Sequence, residues 1–90
     1  MRKRISRIDG IIWRKVGEEV AIIVLEDTSN SLHILNKTAA HIWEMCDGEH
    51  DADDIAASIN ERFDVTLEKA KADVDATIDK LEKMKVIEYD

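Results

Sequence analysis

Glu19-Val20-Ala21-Ile22-Ile23-Val24-Leu25 and, after a short polar break, Ser31-Leu32-His33-Ile34-Leu35-Asn36-Lys37-Thr38-Ala39-Ala40-His41-Ile42-Trp43-Glu44 decide the fold of this 90-residue chain. Residues 20–25 are all apolar, which reads as a strand covered on both sides or placed centrally in a sheet. Asp27-Thr28-Ser29-Asn30 is rich in residues that bond their own backbone and reads as a turn. Residues 31–35 then alternate, with Leu32 and Ile34 facing one way and Ser31 and His33 the other, the pattern of a half-buried strand at a sheet edge. Asn36 can accept an orphan amide proton and so cap a helix. Ala39, Ile42, Trp43 and Cys46 follow at the i, i+3, i+4, i+7 spacing of one helical face, and Gly48 is placed to end that helix.

Upstream, Ile11-Ile12-Trp13-Arg14-Lys15-Val16 is β-branched and aromatic and stops at Gly17-Glu18, giving a first strand. Downstream, a second helix starts near Asp51, with Asp53 and Asp54 in its first turn and Ala52, Ile55, Ala56, Ile59 and Phe63 as its buried stripe. Thr66 caps a third helix with the stripe Leu67, Ala70, Val74, Ile78 and Leu81, and Val86-Ile87 packs the tail on the core. The chain has no proline, linker or repeat. The order of elements predicts one domain over residues 1–90. Its class is α+β, winged helix-turn-helix-like, with a three-stranded antiparallel sheet followed by three helices. In a sequential meander the third strand keeps one flank unpaired, able to accept an extended peptide.

The net charge is −7, with 44% hydrophobic and 37% charged residues, so a core is affordable and general binding to a phosphate backbone is disfavoured. The charge is uneven. Residues 1–15 carry Arg2, Lys3, Arg4, Arg7, Arg14 and Lys15 against Asp9 alone, and residues 1–9 read as a flexible basic arm. The lone Cys46 allows no internal disulfide and fits a reducing cytoplasm, and no apolar run is long enough for export or membrane spanning. His33, His41 and His50 are scattered, and His41 and Cys46, five apart, diverge by about 140° on a helix. His41 therefore reads as a solvated helical residue and Cys46 as a small core residue. The acidic run Glu49-His50-Asp51-Ala52-Asp53-Asp54 lacks the glycine of a calcium loop and reads as a helix start. No catalytic residue and no metal ligand set is expected. Three helices beside a small sheet also fit a winged-helix DNA-binding regulator, but residues 66–85 hold equal numbers of lysines and acids and offer phosphate little.

The run from Ser31 to Glu44, and within it Leu35-Asn36, Thr38-Ala39 and Ile42-Trp43, resembles the signature of the PqqD-like family, named after the pyrroloquinoline quinone biosynthesis protein D. The similarity extends through Asp47-Gly48, Asp51-Ala52-Asp53-Asp54-Ile55-Ala56 and the closing Leu81-Glu82-Lys83-Met84-Lys85-Val86-Ile87-Glu88. The resemblance implies a precursor-peptide recognition element. This is a non-catalytic chaperone without cofactor that binds the leader of a ribosomally made peptide by strand addition. It presents the leader to a modifying enzyme, often a radical S-adenosylmethionine enzyme, in the biosynthesis of the quinone or of a related peptide product. It implies no nucleic-acid or membrane partner. A homodimer through the free edge is a further option. Carried onto this chain, the leader pairs with residues 31–35 and lies beside the third helix at roughly residues 67–83. Ser31, Leu32, His33, Ile34 and Leu35 thus form the pairing strand. Either Leu32 and Ile34 of the strand with Val74, Thr77 and Leu81 of the helix select apolar leader residues, or these residues are buried and Lys71, Asp75 and their neighbours line the groove. Leu35, Asn36, Ala39, Ile42 and Trp43 read as structural.

Overall fold

The structure, a computed structural model, describes residues 3–25 and 30–89. The turn expected over residues 27–30 lies outside these except for Asn30, and so does Arg2. Three strands form an antiparallel meander in the order β2 (Ile12–Val16), β3 (Glu19–Leu25) and β4 (Asn30–Leu35). The all-apolar strand is the central one. Its register with β4 sets Val20 opposite Leu35, Ile22 opposite His33 and Ile23 opposite Leu32. Val20, Ile22 and Leu35 are buried under the helices, whereas the alternate set faces the uncovered side of the sheet.

Three helices follow: α1 (Lys37–Met45), α2 (Ala52–Arg62) and α3 (Leu67–Lys83). Each starts where its cap residue stands. Asn36 Oδ1 accepts from the Ala39 amide at 3.0 Å, Asp51 and Asp54 form a reciprocal capping box, and Thr66 Oγ1 accepts from the Lys69 amide at 3.1 Å. The core joins Ile42, Trp43 and Cys46 of α1 and its cap to Ile55, Ala56 and Ile59 of α2 and to Ala70, Val74, Ile78 and Leu81 of α3. Leu67, expected in the stripe of α3, is half exposed because it lies in the first turn, beyond the packed part of the helix. Helix α1 also ends earlier than Gly48 would place it, at Met45 with Cys46 as its cap. Gly48 instead turns the following loop at φ +84°, and a Cβ there would stand 3.0 Å from Ser6 Oγ.

The contact between Gly48 and Ser6 belongs to a feature that corrects the flexible-arm expectation. Residues 5–7 of the expected arm form β1 (Ile5–Arg7), which pairs antiparallel with β5 (Ile87–Tyr89) in a separate two-stranded sheet. Ile5 is 1% exposed. Its amide donates to the His50 carbonyl at 3.0 Å, its carbonyl accepts from the Gly48 amide at 2.9 Å, and the Arg7 amide donates to the Cys46 carbonyl at 2.8 Å. The Arg7 guanidinium then donates to the Trp43 and Glu44 carbonyls, at 3.0 and 2.8 Å, in the last turn of α1, where the Trp43 carbonyl also accepts from the Cys46 amide. It also lies 5.3 Å from the ring centre of Trp13 and 5.9 Å from that of Trp43. A three-residue strand shows no periodicity to read, and its partner comes from the other end of the chain.

Ile5→Ala is expected to lower the unfolding free energy by about 2–5 kcal/mol in denaturant titration, the usual cost of emptying a buried isoleucine site; a loose arm would register almost none. Burial pushes the Cys46 thiol up to about 12, and its Sγ donates to the Ile42 carbonyl at 3.2 Å. A thiol reagent at pH 8 is therefore expected to label Cys46 only after denaturation, because the reactive thiolate is scarce and enclosed. Rapid labelling of the native protein would contradict the packing described.

Candidate functional site: the open edge of β4 and the groove beside α3

Strands β1 and β5 pair with each other, so among the described residues no strand occupies the far edge of β4. An edge of this kind presents a row of backbone donors and acceptors along which an extended chain can continue the sheet. The opposite edge, on β2, is differently equipped. It carries Arg14 and Lys15, with Lys15 Nζ 3.1 Å from Glu44 Oε1, and Trp13 stacks edge-on against Trp43 at 5.7 Å between ring centres. Charged residues of this kind blunt a sheet edge.

The alternation expected in residues 31–35 is present. Leu35 is buried, Ser31 and His33 lie half-buried on the helix side, and Leu32 and Ile34 are 64% and 53% exposed on the uncovered face. Beside this strand, α3 and β4 border two cavities. One, of about 620 Å³, is lined by Ile34 and Leu35 of the strand and by Asp73, Ala76, Thr77 and Lys80 of the helix. The other, of about 770 Å³, takes in Ser31 and His33 of the strand and Lys83, Met84 and Lys85 at the end of the helix, and it extends across β3 at Ile23, Val24 and Leu25 to Ile12 at the start of β2. Ser31, His33, Ile34 and Leu35 thus each line one of the two cavities, whereas Leu32, on the uncovered face, lines neither.

The helix residues divide. Val74 and Leu81 are 1% and 0% exposed and fill the core, so neither can select a ligand. Thr77 lines the groove. Lys71 and Asp75 are exposed but lie outside both cavities, and Asp75 lines a cleft on the other side of α3 with Asp79, Glu82 and Tyr89. At about 100° per residue, Asp73, Thr77 and Lys80 fall on one flank of the buried stripe and Lys71, Asp75 and Glu82 on the other. The sequence marks both flanks but not the one turned to β4. Lys69, Asp73, Ala76 and Lys80 in the first cavity, and Lys83, Met84 and Lys85 in the second, are lining residues that sequence reasoning did not assign to the groove.

The remaining polar residues serve the scaffold. The His41 ring sits between helices, with Nε2 2.8 Å from Ser58 Oγ and its face edge-on to Phe63. It is thus partly buried rather than solvated, and burial together with the Arg62 charge holds its pKa below the ordinary 6.5. His50 Nδ1 pairs with Asp47 Oδ1 at 2.9 Å in the loop after α1. The acidic run beyond it supplies the capping box of α2. Among the described residues no group of three or more His, Cys, Asp or Glu could hold a metal ion, and no helix is long and apolar enough to cross a membrane. The chemistry on offer at the groove is backbone pairing, apolar contact and lysine charge.

Two comparisons bear on this arrangement. A solved structure described as TbiB1 in complex with the TbiA(beta) leader peptide superposes with a TM-score of 0.77 at 16% sequence identity, over 92% of this chain and 94% of that one. The likeness shows a shared α+β fold, with the three-stranded sheet and three helices expected from the sequence. No curated protein matches the sequence, and neither comparison supports the DNA-binding alternative. The sequence model of PqqD, described as coenzyme PQQ synthesis protein D, matches residues 21–87, from the central strand through all three helices to β5, and the chain therefore belongs to the PqqD family.

Proposed function

We propose that the chain is a non-catalytic carrier of a leader peptide, which it binds as an added strand on β4 and presents to a peptide-modifying enzyme of the radical S-adenosylmethionine class. The observation that carries this reading is the β4 edge, which no strand among the described residues covers, with an open groove beside it. The leader peptide named as bound to the structurally similar TbiB1 supports it. Energetics assign separate roles to edge and groove. Each backbone hydrogen bond contributes about 0.5–1.5 kcal/mol net, while ordering each residue of a flexible peptide costs about 1–2 kcal/mol. Edge pairing over residues 31–35 therefore sets register and direction at nearly no net gain. Affinity and choice of leader come from side chains that enter the groove against Ala76 and Thr77. The buried Cys46 and the absence of a spanning helix among the described residues suit a reducing cytoplasm.

The uncovered face of the sheet supplies a second contact. Ile12, Val16, Ile23, Leu25, Leu32 and Ile34 are all exposed there, an apolar patch larger than scattered surface residues make. Leu32 and Ile34 belong to the strand that takes the leader, so a partner seated on this face meets the outward side chains of the added strand. We assign the face to the modifying enzyme.

Titrating the ¹⁵N-labelled protein with the leader of the precursor encoded beside its gene is expected to shift the amides of residues 31–35 first, with Ala76 and Thr77. Ala76→Trp, which fills the groove from an exposed position, should weaken binding more than tenfold with little change in Tm. Shifts confined to residues 3–7 or to β2 would overturn the assignment. Sedimentation of the free protein should return one monomer mass across concentrations. A dimer abolished by the double substitution Ile23→Lys and Leu32→Lys would give the apolar face to a second copy instead.

A further inference from the structure

We infer that the segment held in the β4–α3 groove is acidic, with carboxylates at alternate positions facing α3. The inference rests on the strand-addition reading above and adds the chemical class of the ligand.

Lysines border the groove along its length. Lys69 and Lys80 line the cavity near Leu35, and Lys83 and Lys85 line the cavity near Ser31, with Asp73 as the one acidic residue among the described linings of both. The other flank of α3 has the opposite character, with Asp75, Asp79 and Glu82 lining its cleft. Residues 66–85, neutral overall, are thus polarised across the helix axis, Lys71 excepted, and the lysine-bearing side borders the cavities beside β4. Two of the lysines are already engaged, since Lys69 Nζ is 2.7 Å from Asp73 Oδ1 and Lys83 Nζ is 3.0 Å from Asp79 Oδ2. Lys80 and Lys85 have no carboxylate partner among the described residues.

Basic residues in the last turn of a helix complement its dipole, and this accounts in part for Lys80 and Lys83. It does not account for Lys85. Helix α3 closes in a Schellman motif, in which the Lys85 amide donates to the Glu82 carbonyl at 3.0 Å and the Val86 amide to the Leu81 carbonyl at 3.3 Å. The residue after the cap must then be left-handed, and Lys85 sits at φ +60°. Glycine is the usual occupant of this position because a Cβ is strained there. A lysine in its place works against local stability, and its side chain borders the groove. Strain of this kind marks a residue held for another purpose.

Side chains of an added strand that face α3 recur at every second residue, about 6.6 Å apart, so alternate positions of the ligand meet the lysines that border the cavities. The net charge of −7 opposes an acidic ligand, but at physiological ionic strength charges beyond about 8 Å are attenuated, so the lysines that border the groove outweigh it at close range.

Three synthetic ten-residue peptides, alternating threonine with glutamate, glutamine or lysine, test the inference against the ¹⁵N-labelled protein. The glutamate peptide is expected to bind roughly tenfold tighter than the glutamine peptide at low salt while shifting the amides of residues 31–35, with the advantage shrinking in 0.5 M salt. Lys80→Gln combined with Lys85→Gly should reduce that advantage to less than twofold. Lys85→Gly alone should raise Tm yet weaken the glutamate peptide, a combination that a purely structural lysine would not produce. Equal binding of the three peptides, or preference for the lysine peptide, with residues 31–35 still shifting, overturns the acidic class and leaves strand addition standing. Failure of every peptide to shift residues 31–35 overturns strand addition itself.

Discussion

The pairing of the two chain ends is the constraint on which the site depends. A small meander has two raw edges, and a short terminal strand is the element best placed to cover one of them. Here β1 and β5 satisfy each other instead, and the loop after α1 bonds the outer side of β1, accepting from the Ile5 and Arg7 amides and donating to the Ile5 carbonyl. Arg7 fastens this arrangement from inside, since one guanidinium serves the final carbonyls of α1 and spans the two tryptophan rings. With both termini engaged away from the meander, β4 keeps its flank.

An open flank alone would select nothing, because every extended peptide has the same backbone. Selectivity requires side-chain surroundings, and these come from α3, which borders β4 across two cavities rather than packing down on it. The helix divides its circumference into three parts. One stripe, Ala70, Val74, Ile78 and Leu81, anchors it in the core. A second, with Asp73, Ala76, Thr77 and Lys80, faces the groove, and a third carries the acids Asp75, Asp79 and Glu82. The residues that anchor the helix and those that line the groove are thus separate.

Much of this was legible before any coordinates. The apolar run at residues 20–25 announced the central strand, and Asn36, Asp51 and Thr66 announced the helix starts, because a cap acts on amides only two or three residues away. The strand of the site and its edge position also followed from alternation. What stayed hidden was non-local. The segment Ile5-Ser6-Arg7 looks like part of a charged tail, and only its partner at residues 87–89 makes it a strand. The choice between Thr77 and the pair Lys71 and Asp75 turned on which flank of a correctly placed helix faces β4, a rotation that no pattern within the helix records.

The sequence by itself determined the three strands of the meander, the three helices and their N-caps, the central strand and the family, since each rests on interactions between near neighbours or on a run of adjacent residues. Tertiary structure alone decided that the N-terminal arm is a strand, that Leu32 and Ile34 face outward, and that the lysine-bearing flank of α3 borders the open edge. Those outcomes depend on contacts between segments distant in the chain, where the packing of a shared core, and not local preference, sets the orientation of each element.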